Sequence, residues 1–116
     1  MTNVIEERSA VAGAALFRSL GDRTRLAIVV ELADGERRVA DLVEKLGLAQ
    51  STVSSHLSCL RDCGLITGRP QGRQIFYRLA VPELLDLLVA AEVVLEATGH
   101  ASVLCPRYGD LPEPRA

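Results

Sequence analysis

Three cysteines, Cys59, Cys63 and Cys105, are the residues of this sequence whose type and spacing best suit chemistry. Cys59 and Cys63 are four positions apart, so on a helix they share one face and could share one ion. Thiolates are soft donors that select soft or borderline metals, and two of them on one helical turn need at least a third ligand. Cys105 is the remaining thiol. Three thiolates around a divalent ion leave one net negative charge, which suits Cd(II) or Pb(II), and As(III) also fits. Zinc would usually take a fourth ligand, for which His100, Asp110 or water is available. Two other roles compete for the same residues: small buried hydrophobes, or thiols that respond to oxidation or sulfide. An odd cysteine count fits three ligands better than a disulfide framework.

The elements that must position these thiols follow from apolar spacing. In QSTVSSHLSCLRDC, Val53, Leu57 and Leu60 form one stripe of a helix that Gly64 ends. Just before it, Val39, Leu42, Val43 and Leu46 fall at i, i+3, i+4 and i+7 and predict a short helix ending at Gly47. Two helices joined only by residues 47–49 make a helix-turn-helix. Upstream, the spacing predicts a helix over 10–20 and a second one from the capping Asp22 to the Asp34-Gly35 turn. Downstream, 65–67 and 74–79 read as strands with GRPQGR as the loop between them, Arg69 and Arg73 at its shoulders. The stretch PELLDLLVAAEVVLEA after it is helical and apolar over more than one face, which implies a partner helix. The expected fold is therefore mainly α with a small β-hairpin: a winged helix-turn-helix with dimerisation helices at both ends. Residues 1–9 are expected to be a flexible N-terminus, 10–98 the domain, and 99–116 a tail with little regular structure that carries Cys105.

Composition bounds the function. A chain of 116 residues, 48% hydrophobic and 24% charged, fits one folded domain and excludes disorder as its main state. The longest apolar stretch, 84–95, is interrupted by Asp86 and Glu92, so no membrane span is expected. The opening MTNVIEERSA lacks the apolar segment of a signal peptide, and a cytoplasmic location follows as the expectation. The net charge of −2 counts against nucleic acid until it is divided along the chain. Residues 50–79 hold four arginines against one aspartate, whereas 80–116 hold two arginines against six acids. No nucleophile, base and oxyanion donor assemble at a recognisable spacing, so an enzyme is not expected.

The stretches LGDRTRLAIVVEL, LVEKLGLAQSTVSSHLSCLRDCGLI and GRQIFYRL resemble the ArsR/SmtB family of bacterial winged-helix metalloregulators, over roughly residues 10–97. The resemblance implies a homodimeric repressor that binds double-stranded operator DNA and leaves it when a metal binds. Within the family, SCLRDCGL with a later tail cysteine is similar to the CmtR-type cadmium/lead sensors, which implies Cys59, Cys63 and Cys105 as ligands. A recognition helix sets its N-terminal residues against base edges. Gln50, Ser51, Thr52, Ser54 and Ser55 are the candidates there, and Arg69, Gln71, Arg73 and Gln74 are the candidates on the wing. The competing reading is a solvated helix and a hairpin whose arginines protect its edge. His56 reads as a neutral histidine at the core's edge. Three departures narrow the type. Ala49 stands where the family commonly has a capping Ser or Thr, a loss of about 1 kcal/mol of helix stability. RRVADL lacks the Cys-x-Cys of arsenic and cadmium sensors, and the last helix lacks the Asp and His ligands of zinc sensors.

Overall fold

A computed structural model describes residues 4–104. Its elements run in the order α1 (Val4–Leu20), α2 (Arg23–Ala33), β1 (Arg37–Arg38), α3 (Val39–Leu46), α4 (Gln50–Asp62), β2 (Ile66–Gln71), β3 (Gln74–Leu79) and α5 (Glu83–Ala97). Among these residues no helix is long and apolar enough to cross a membrane.

The core is built where the sequence stripes converge. Ile28, Val29 and Leu32 of α2, Leu42 of α3 and Val53, Leu57 and Leu60 of α4 are closed over by Leu65, Ile66, Tyr77, Leu84 and Leu88. Burial of these side chains, at about 1.5–3 kcal/mol for each large apolar residue, holds the two helices of the helix-turn-helix in one orientation. Leu104, beyond α5, also packs against this cluster, so the chain returns to the core just before residue 105.

Caps fix the helix ends. Asp22 accepts the Arg25 backbone N–H at 2.9 Å and starts α2, as expected. That hydrogen bond holds the Asp22 carboxyl below its usual range, with a smaller contribution from His56, whose Nδ1 lies 3.9 Å away. His56 is thus a half-buried tie between α4 and the start of α2, in line with a structural role. The end of α4 is a Schellman motif: the Gly64 N–H donates to Arg61 and the Leu65 N–H to Leu60. Gly64 has φ +76, a conformation that a side chain would disfavour.

Asp41, in the first turn of α3, accepts the Arg38 backbone N–H at 2.8 Å and the Arg38 guanidinium at 2.8 and 3.1 Å. The guanidinium is the main cause that holds its carboxyl down at about 2, against an ordinary 3.8. A carboxyl lowered by folding contributes stability above its unfolded value and loses it on protonation. Stability should therefore fall as pH drops from about 4 toward 2. Urea midpoints measured across that range should decline less steeply for Asp41→Asn than for the wild type; parallel curves would remove Asp41 as a contributor.

Three features depart from the sequence reading. α1 begins at Val4 rather than at residue 10, so residues 4–9, expected to be flexible, are helical. Residues 6–12 are exposed, and Glu6 and Glu7 near its start complement the helix dipole, a signal that apolar spacing does not register. GRPQGR is mostly strand: β2 extends to Gln71, and only Gly72 and Arg73 form the turn. Gly72 has φ +64, the sign a two-residue turn with glycine first requires. The antiparallel order is β1-β3-β2, which leaves β2 on an edge where Pro70 is tolerated. The third strand, β1, pairs Arg37 with Tyr77 and Arg38 with Phe76.

Candidate nucleic-acid interface and thiol pair

The α3–α4 unit presents α4 with Val53, Leu57 and Leu60 inward. Gln50, Ser51, Thr52 and Ser55 are consequently exposed near its start, and Ser54 is half-buried. Ala49 provides no side-chain cap, so the first N–H groups of α4 depend on solvent or a ligand. Small hydroxyls and one amide lie at the helix end from which a recognition helix reads bases.

The wing candidates divide into two kinds. Arg73 lies in the two-residue turn at the tip, exposed, and makes no hydrogen bond or ion pair with the described residues. Arg69 lies within β2 and is engaged. Its Nε and Nη2 donate to the two Glu36 oxygens at 3.3 and 2.8 Å, and Nη1 donates to Gln71 Oε1 at 2.8 Å. Gln74 accepts from Arg38 Nη1 at 3.3 Å. In register, Arg38, Phe76 and Arg69 stand side by side across the three strands. Both guanidinium carbons approach the Phe76 ring, at 6.0 and 5.1 Å from its centroid, within the range of cation–π attraction. Hydrogen bonds from Arg69 hold the Glu36 carboxyl below its usual range and raise the Arg69 pKa in return. Glu36, Arg38, Asp41 and Phe76 were not among the sequence candidates. The pairings Glu36–Arg69 and Arg38–Phe76 join residues more than thirty positions apart, whereas Arg38 and Asp41 stand three positions apart, the local spacing of a helix cap.

Opposite charge collects elsewhere. A surface groove of about 810 Å³ is lined by Glu31, Asp34, Glu36, Asp41 and Glu44 with Arg37 and Lys45, an electrostatic surrounding unsuited to phosphates.

The thiol pair sits at the far end of α4. Cys59 is half-buried within the last turns, and Cys63 is exposed at the C-cap, one residue beyond the helix. Both thiols are free. The Cys63 Sγ lies 3.2 Å from the Oγ of Ser19, which is 5% exposed at the end of α1. That contact links the cysteine pair to the first helix. Among the described residues no group of three or more Cys, His, Asp or Glu gathers as a metal site, and His100 instead stands 3.4 Å from Thr98 Oγ1. Cys105 and Asp110 lie outside the described residues.

A helix-turn-helix followed at once by a small antiparallel wing defines a winged helix-turn-helix protein. The chain belongs to the ArsR family, whose members are transcriptional regulators and not enzymes. The model of that family, "bacterial regulatory protein, arsR family", matches residues 22–67. A probable mercury resistance operon repressor of Streptomyces lividans is 38% identical over 94 residues, which cover 81% of this chain and 75% of that protein. The transcriptional regulator CmtR of Mycobacterium bovis is 51% identical over 67 residues, 58% of this chain and 57% of its own length. The chain thus spans less than two thirds of CmtR. Among solved structures, the homodimeric winged helix-turn-helix domain of a possible ArsR-family regulator from Mycobacterium bovis is 27% identical, with a TM-score of 0.74 over 83% of this chain and 89% of that one.

Proposed function

We propose that this protein is a metal-responsive transcriptional repressor that binds operator DNA as a homodimer and leaves it when a soft metal ion, Cd(II) or Pb(II), binds cysteine thiolates. The observation that carries the reading is the position of Cys59 and Cys63: two free thiols four positions apart, one half-buried in the last turn of the helix that follows the helix-turn-helix corner and one exposed at its C-cap. The 51% identity to CmtR and the likeness to a mercury operon repressor support a metal effector.

Gln50, Ser51, Thr52, Ser54 and Ser55 are assigned to base edges, and Arg73, Arg69, Gln71 and Gln74 to the backbone or minor groove beside them. Cys59 and Cys63 would hold the ion with Cys105 as third ligand. Leu104, the residue before Cys105 in the sequence, packs against the core. An ion held by these three thiolates would link the recognition helix to the tail. A protein dimer carries two copies of the helix and wing, and α1 and α5 supply its interface. Val11, Phe17, Val93 and Val94 are each at least 60% exposed, more apolar surface than a monomer usually leaves on two helices.

A panel of Cd(II), Pb(II), Zn(II) and As(III) titrated into the protein–operator complex tests the reading. Release by Cd(II) or Pb(II) near stoichiometric addition, with sulfur-to-metal charge-transfer absorption in the ultraviolet, is expected. Release by peroxide or by a polysulfide, without response to any metal, would replace it with a thiol-redox or persulfide repressor of the same fold.

A further inference from the structure

We propose that Glu36 is an electrostatic latch on the wing, one that holds Arg69 flat along the sheet and must be displaced before Arg69 can meet a DNA phosphate. The inference rests on the reading of the wing as a DNA-binding element.

Three observations carry it. First, the grip is two-pronged: Glu36 takes both Nε and Nη2 of Arg69, the fork geometry in which a guanidinium otherwise clasps a phosphate. Carboxylate and phosphate therefore compete for the same edge of the same side chain. Second, the remaining sides are also committed, Nη1 to Gln71 and the face to Phe76. Third, the anion is delivered from outside the wing: Glu36 precedes β1, which joins α2 to α3. The latch thus ties the wing's edge strand to the segment that leads into the helix-turn-helix.

The contact is exposed enough to open, with the Arg69 and Glu36 side chains 49% and 34% accessible. Pairs of this kind contribute little net stability, so their breakage is well within reach of a phosphate. Arg73, free at the tip, makes the first contact, and Arg69 adds one only when it exchanges partners. A latch of this kind lowers affinity for any DNA and spares affinity for a sequence that draws the wing close.

The test compares wild type, Glu36→Gln, Arg69→Ala and the double variant by fluorescence anisotropy on operator and on random duplex DNA, over a range of salt. Glu36→Gln should bind random duplex several-fold more tightly. Its plot of log K against log salt should steepen by roughly 0.9, the change expected for one added phosphate contact. In the Arg69→Ala background the same substitution should change nothing. An unchanged affinity in Glu36→Gln overturns the latch, and so does a gain that persists in full without Arg69, because Glu36 would then act by general repulsion. A wild type that binds no duplex at any salt would instead overturn the DNA-binding reading and the latch with it. Thermal melts of all four proteins establish that each is folded.

Discussion

Cys59→Ser and Cys63→Ser are each expected to bind operator DNA as the wild type does and to be insensitive to the metal that releases it. The separation follows from where the residues lie. Base-reading candidates occupy the first two turns of α4, and the thiols occupy its last turn and C-cap, so neither serine replaces a DNA contact. Neither thiol belongs to the buried core, and the Cys63 cap bonds are made by backbone atoms, which serine retains. A serine hydroxyl can also keep the contact with Ser19. What serine lacks is a donor that ionises near neutral pH, and soft ions lose most of their affinity with it. An allosteric coupling of about 1–3 kcal/mol corresponds to roughly 5- to 150-fold weaker DNA binding in the metal-bound wild type. That difference should vanish in both variants, together with the charge-transfer bands. Because ligation requires thiolates, release in the wild type should also need more metal at low pH. Anisotropy titrations with and without Cd(II) measure all of this, and metal-driven release that survives in both variants would end the thiolate model.

Legibility of the fold divided along physical lines. α2, α3 and α4 were readable because their signals are local: an aspartate cap, stripes at i, i+3 and i+4, and glycines just past the ends. The wing was only half readable. Gly68 and Pro70 look like loop residues, yet Gly68 is a packing requirement of β2, since a Cβ there would lie 2.8 Å from Ile75 Cγ2 and 3.2 Å from Tyr77 Cε1. Pro70 is compatible because β2 is an edge. β1 is two arginines with no pattern of their own and exists only through pairing with β3. The charge count misled for a related reason. Division along the chain gives residues 50–79 a surplus of positive charge, but in space Glu36 neutralises Arg69. Of the thiol site, the sequence showed the i, i+4 pair and did not show Ser19, forty-four positions away from Cys63.

Phe17→Asp combined with Val93→Asp should leave the chain folded, convert it to a monomer and abolish operator binding at concentrations where the wild type is saturated. α1 turns inward with Leu16, Ser19 and Leu20, while Phe17 is 62% exposed. α5 is anchored by Leu84 and Leu88 near its start, and further along Val93 is 63% exposed. Replacement of either outward residue therefore removes little from the monomer's core. In a two-fold dimer each substitution counts twice. The loss of one large buried side chain per protomer, at about 1.5–3 kcal/mol each, already removes about 3–6 kcal/mol from the interface. At 1.4 kcal/mol per tenfold that is roughly two to four orders of magnitude in the dimer constant. A carboxylate forced into an apolar contact adds to it. Operator binding should fall with dimerisation, because the two helix–wing units of a dimer hold each other at a high effective concentration over adjacent half-sites. Sedimentation equilibrium reads the mass, circular dichroism the fold, and anisotropy the DNA affinity. A variant that stays dimeric and binds operator would remove these faces of α1 and α5 from the interface. A folded monomer that still binds operator tightly would separate dimerisation from DNA recognition altogether.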